Sequence, residues 1–141
     1  MTTTVEAIRT YMAAYSALKS GAPLWVNFLG PDPTQYNIVP LAGDKVIETY
    51  LNDNSLRVCP FAFQSMERTA DDLERLENLG FYEALSEWFE SQTLLGTLPS
   101  LASKKTAESI EALNWGYLFE QGQSDSGIYQ IQCRLTYAQE Q

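Results

Sequence analysis

Two hydrophobic periods alternate along this chain. Near the start, Val5, Ile8, Tyr11, Met12, Tyr15 and Leu18 recur three or four residues apart, which predicts an amphipathic helix with one apolar stripe. Thr3 and Glu6 have the spacing of a capping box, and Lys19, Gly21 and Pro23 end the pattern. Residues 24–29, Leu-Trp-Val-Asn-Phe-Leu, predict a short strand, closed by a rigid loop at Gly30, Pro31, Asp32 and Pro33. Residues 36–41 predict a second short strand, with Pro40 near its end. A long hairpin follows, with arms over 45–51 and 56–66 and the turn formers Asn52, Asp53, Asn54 and Ser55 between them. On its second arm Cys59, Phe61 and Phe63 share a face, while Pro60 predicts a bulge or an edge position open to a neighbour.

Helical spacing returns after Thr69-x-x-Asp72, a second capping signal. Leu73, Leu76, Leu85, Trp88 and Phe89 are expected inward, and Asp71, Glu74, Glu83, Glu87 and Glu90 outward. Gly80 predicts a kink or break. The segment should end near Thr93, with a connecting loop over 94–106. A second hairpin is expected in the last third: residues 109–120, with Leu113, Trp115, Tyr117 and Phe119 on one face, and residues 128–137, with Tyr129, Ile131, Cys133, Leu135 and Tyr137 on one face. Residues 122–127 form its turn, and Gln130, Gln132, Arg134 and Thr136 its polar side. No strand–helix–strand alternation occurs. The expected fold is α+β: a mainly antiparallel sheet built from two long hairpins and short strands, with two main helices packed on one face.

A chain of 141 residues, 45% hydrophobic, suits a single domain over 1–141 with its own packed core. Trp25, Trp88 and Trp115 all lie on the apolar phase of their elements, which favours core packing over a ligand pocket. Nine basic against 18 acidic residues give a net charge of −9, the wrong sign for a protein that binds by neutralising phosphates. There is no histidine, which excludes His-dependent hydrolases and acyl transferases, His-ligated zinc enzymes and imidazole pH sensors. Cys59 and Cys133 belong to no Cys-x-x-Cys pair and read as small buried thiols.

Residues 67–90 hold eight carboxylates against Arg68 and Arg75, a charge of −6. That run reads as a solvated helix face, a cation site or a surface that repels nucleic acid. Calcium-loop spacing, glycine-rich phosphate cradles and metal clusters are all missing, and Ser16-Ala17-Leu18-Lys19 stands without the motifs that would make it catalytic. No cofactor is expected, nor any apolar run long enough for a membrane. What remains are strand edges, a proline-rich loop and polar strand faces, the materials of subunit assembly.

Four stretches carry a resemblance. They are Val26-Asn27-Phe28-Leu29-Gly30 followed by Pro33; Gly80-Phe81-Tyr82 with Trp88 and Gln92; Ile110-Glu111-Ala112-Leu113 followed by Gly116-Tyr117-Leu118-Phe119; and Tyr129-Gln130-Ile131-Gln132-Cys133-Arg134-Leu135 with Tyr137. In this order, over most of the chain, they resemble small minor structural proteins of tailed phages and prophages of Gram-positive bacteria, similar to tail terminator and tail-to-head joining (tail completion) proteins. The resemblance implies an α+β subunit with no catalytic residues. It implies a homo-oligomeric ring, commonly hexameric, that caps the tail tube and offers a surface to the head completion or connector protein. DNA would be only passing cargo in the axial channel. Such a protein would occupy the host cytoplasm during assembly and then the tail or neck of the virion.

Candidate interface residues are the loop Pro31, Asp32 and Pro33, the hairpin tip Asn52, Asp53 and Asn54, and the polar strand face Gln130, Gln132 and Arg134. Each is equally readable as an ordinary exposed turn or strand face. Rival readings are another neck component, an acidic DNA mimic that inhibits a nuclease or restriction enzyme, and a carboxylate-only enzyme, which would need two acids facing one cleft.

Overall fold

The computed structural model describes residues 2–42, 45–122 and 125–141. In chain order they form α1 (Thr4–Ala13), β1 (Leu24–Val26), β2 (Gln35–Pro40), β3 (Lys45–Thr49), β4 (Ser55–Arg68), α2 (Asp72–Leu95), β5 (Lys105–Ala112), β6 (Tyr117–Gln121) and β7 (Ser126–Gln139). The fold is α+β, as the hydrophobic pattern requires.

Two 14-residue strands, β4 and β7, form an antiparallel spine from Ser55 opposite Gln139 to Arg68 opposite Ser126. On the β4 side the outer strands are β2, paired near one end of the spine, and β3, paired near the other; β1 extends β2 as a parallel strand. On the β7 side β5 pairs near the Gln139 end and β6 near the Ser126 end. The sheet thus has four corners, and β3 and β6 occupy diagonally opposite ones.

One face of this sheet carries the core. Tyr36 and Ile38 of β2, Phe61 and Phe63 of β4, Ile110 of β5 and Tyr129, Ile131, Cys133, Leu135 and Tyr137 of β7 meet Ile8 and Met12 of α1 and Tyr82, Leu85 and Phe89 of α2. Both helices therefore lie on the same side. Cys59 and Cys133 are buried and form no disulfide, and burial pushes the Cys133 thiol far above its usual range. At the centre the Tyr82 hydroxyl lies 2.6 Å from Ser65 Oγ, which satisfies both polar groups inside the core.

Several elements differ from expectation. The Thr3–Glu6 capping box forms, but α1 stops at Ala13. Single turns then hold Tyr15 against Trp88, with ring centroids 4.5 Å apart, so the apolar stripe is real although the helix does not run its length. The second helix is capped by Asp71, whose Oδ1 accepts from Glu74 N, rather than by Thr69. It runs unbroken through Gly80 and ends at Gly96 in the left-handed conformation. Leu73 and Leu76, expected inward, are 66% and 64% exposed. Arg75 and Asn78 instead meet the end of β4, donating to the carbonyls of Thr69 and Arg68, so the first turns of α2 dock through polar groups and leave their leucines outside.

Pro60 causes no bulge, and β4 is not an edge strand. The Pro60 carbonyl accepts from Leu41 N on the side where β2 gives way to β3, so the missing amide falls in a gap of the ladder. In the last third, the expected first arm breaks in two. Asn114 Oδ1 accepts from Gly116 N at 3.1 Å, and Gly116 has φ +84° with Tyr82 packed against it. This detour turns Leu113, Trp115 and Phe119 away from the core; Trp115 is 72% exposed, and Trp25 is also partly exposed, so only Trp88 of the three tryptophans packs inward. The turn expected over 122–127 includes Gln123 and Ser124, which lie outside the described residues.

Candidate assembly surface

The face of the sheet away from the helices is less open than its polar sequence suggests. Asn37, Gln64, Gln130 and Tyr117 stand in register on β2, β4, β7 and β6 and form a transverse chain. Asn37 Nδ2 donates to Gln64 Oε1 at 3.1 Å, Gln64 Nε2 to Gln130 Oε1 at 2.7 Å, and Gln130 Nε2 to the Tyr117 hydroxyl at 2.7 Å. Gln130 is buried by this chain and is no open contact residue, contrary to the sequence reading. Gln132, half-buried, accepts from Asn114 Nδ2, and Arg134 pairs with Glu111 across the β7–β5 ladder. Of the three, only Arg134 reaches solvent freely.

The other candidate segments lie at opposite ends of the molecule. Pro31, Asp32 and Pro33 are exposed at the entry to β2, where Gln35 braces the loop through Gly30 N and the Asp32 carbonyl. Beside them Trp25 and Phe28 form an edge-on pair, with centroids 5.2 Å apart, that faces outward. Asn52 and Asp53 are exposed at the β3–β4 turn, while the Asn54 side chain accepts from Gln141 N. Roughly 35 Å of β4 separates the two segments, at about 3.3 Å per residue. No single site unites the nine residues.

The open surface instead follows the sheet edges, and the four edges are not treated alike. At β1, Arg9 Nε donates to the Leu24 carbonyl at 3.2 Å. At β5, the Thr93 hydroxyl of α2 bonds both the amide and the carbonyl of Ile110. Those edges are guarded by helix side chains. Strands β3 and β6 carry no such guard among the described residues, and every residue in both is exposed. Each is five residues long and apolar in its middle: Lys45-Val46-Ile47-Glu48-Thr49 and Tyr117-Leu118-Phe119-Glu120-Gln121. Each is bulged against its own partner, between Val46 and Glu48 and between Leu118 and Glu120. Tyr50 and Leu51 extend the β3 surface, and Trp115 extends that of β6. Alternation alone puts Tyr117 and Phe119 on one face with Leu113 and Trp115; the sequence signal against this is the Asn114–Gly116 turn.

Helix α2 adds an acidic outer face, with Asp72, Glu77, Glu83, Glu87 and Glu90 exposed and Leu73, Leu76, Leu94 and Leu95 among them. Near its start, Glu67 is held by a hydrogen bond from Thr34 Oγ1 at 3.2 Å, yet burial pushes its carboxyl above the usual range. A cleft of about 680 Å³ lies at the other end of the spine. It is lined by Asp53, Arg57, Lys104 and Glu140 with Ser55 and Gln139, two basic and two acidic groups. Among the described residues no group of three or more His, Cys, Asp or Glu could hold a metal, and no helix is long and apolar enough to cross a membrane. No known family model matches the chain, and no curated protein matches it in sequence.

Proposed function

We propose that this chain is a structural subunit of a tailed phage or prophage: a tail terminator or tail completion protein that forms a ring at the head–tail junction and makes and breaks no covalent bonds. The observation that carries a self-assembling role is the pair of solvent-facing edge strands with apolar middles at opposite corners of one sheet. An edge of this kind is a template for another strand, and two different edges on one subunit generate a head-to-tail contact, which forms a ring when the rotation between copies closes. The resemblance in sequence supports the place of that ring, between the tail tube protein and the head connector. Acidity fits a channel that DNA must traverse without adhering, because a surface rich in carboxylates repels phosphates.

Deleting the gene from a phage that carries it tests the proposal. The expected result is DNA-filled heads beside detached tails of irregular length, with normal particles restored by the intact gene. Complete virions in normal yield would overturn it.

The acidic face of α2 favours a second reading, a DNA mimic that occupies a basic nuclease. Exposed leucines interrupt that face, which suits a partner less polar than a DNA-binding groove.

A further inference from the structure

We infer that the chain recognises a second copy of itself by antiparallel pairing of β3 with β6 of its neighbour, in the register that sets Lys45 opposite Glu120. The inference deepens the ring reading above and rests on it for closure. Three observations carry it.

First, direction. Within one subunit β3 runs antiparallel to β4, β4 to β7 and β7 to β6, so β3 and β6 point opposite ways. A copy displaced sideways in the plane of the sheet presents its β6 antiparallel to β3, with both helical layers on the same side.

Second, register. Lys45 pairs with Val58 and Glu48 with Leu56, which puts both on the helix-free face; Val46 pairs with Arg57 and lies on the helical face. In β6, Tyr117 pairs with Gln130 and Glu120 with Ile128 on the helix-free face, while Leu118 pairs with Tyr129 on the helical face. Setting Lys45 against Glu120 brings Val46 to Phe119, Ile47 to Leu118 and Glu48 to Tyr117. Lys45 and Glu120, as opposite charges, and Glu48 and Tyr117, carboxylate beside hydroxyl, then meet on the helix-free face, and between them the apolar Val46 and Ile47 meet the apolar Phe119 and Leu118. A shift by one residue sets Val46 against Glu120 on opposite faces. Parallel pairing would set the Glu48 and Glu120 carboxylates together.

Third, shape. A bulge ordinarily bends an edge away from indiscriminate partners. Here the extra residues, Ile47 and Phe119, fall at neighbouring positions of the paired strands, so the two irregularities coincide and a regular strand would match neither edge.

The corners are offset by about nine residues along the spine, roughly 30 Å at ~3.3 Å per residue. Copies in a closed ring return to the same height, so the strands must incline to the ring axis, as in any closed barrel.

The test mixes two variants, V46C and F119C, each otherwise carrying only the buried Cys59 and Cys133, and treats them with a short bismaleimide over a range of concentrations. The pairing predicts a linked dimer containing one of each, several-fold in excess of either self-linked dimer. Excess self-linked V46C dimer, or no linked species at any concentration, would overturn it. In unlabelled protein K45E should weaken self-association a few-fold, and E120K in the same chain should restore it to within about twofold. A K45E chain that associates like the original would refute the register. A one-of-each link in a protein whose loss leaves phage particles normal would keep the pairing and remove the tail-ring reading. A tail defect accompanied by self-linked V46C dimers would do the reverse.

Discussion

The Thr93 hydroxyl of α2 occupies both backbone groups that Ile110 turns away from the sheet, accepting from its amide at 3.1 Å and donating to its carbonyl at 2.9 Å. One side chain thereby closes an edge that would otherwise offer itself to another strand. Thr93→Val keeps the shape and removes both bonds. It should lower stability by about 1–3 kcal/mol, because a partly buried amide and carbonyl lose their partner. Chemical denaturation of the two proteins checks this, with an unchanged slope as the sign that only stability has moved.

Gly116 fixes where β6 begins. A methyl group there would come within 2.5 Å of Tyr82 Cβ, and the φ of +84° is a left-handed backbone that side chains adopt at a cost. Gly116→Ala should cost roughly 2–4 kcal/mol. The accompanying loss should be amide-exchange protection concentrated in β6 rather than in β4, since the detour is what sets the β6 register.

Glu67 makes stability depend on pH. Burial raises its folded-state pKa above the unfolded value of about 4.3, so the proton is held more tightly in the folded chain. Its contribution to stability is therefore complete below the unfolded pKa and is lost as pH rises through the folded one. Glu67→Gln keeps an oxygen for the Thr34 hydroxyl and removes the charge. Its melting temperature should exceed that of the original protein at pH 7, and the gap should shrink as pH falls toward 4.

Salt separates assembly from mimicry. Copies of a subunit carrying −9 repel one another, and raising ionic strength from about 0.01 M to about 0.1 M shortens the range of that repulsion from ~30 Å to ~10 Å. Self-association should strengthen over this range, since the apolar core of the β3–β6 contact is insensitive to salt and only the Lys45–Glu120 pair weakens. A DNA mimic bound to a basic enzyme would dissociate instead. Sedimentation at the two ionic strengths reads the difference.

Much of this fold was legible in the residues. The capping box at Thr3, the alternation of Tyr129 to Tyr137 and the turn formers around Asn52 each encode a local preference that the packed structure keeps. The failures share a cause: period reports which side chains lie on one side of an element, not what that side meets. Leu73 and Leu76 have helical spacing, but their turn of α2 touches the sheet through Arg75 and Asn78, so the apolar side faces water. Trp115 and Phe119 alternate correctly until Asn114 and Gly116 bend the chain. Gln130 looks wet on its own strand and is covered only because Gln64 and Tyr117 arrive beside it from strands remote in sequence. A surface of open strand edges was legible in kind. Its location was not, because which edges are guarded depends on Arg9 and Thr93, whose partners only the tertiary fold supplies.

Self-association through the unguarded corners is the claim on which the rest depends, and the mass of the assembled particle measured by native mass spectrometry or light scattering tests it most directly. The account predicts a closed assembly of one fixed subunit number over a wide concentration range, reduced to monomer when Ile47 and Phe119 are both replaced by lysine, with the fold intact. A chain that stays monomeric at every concentration, or an assembly that the double substitution leaves untouched, would contradict it.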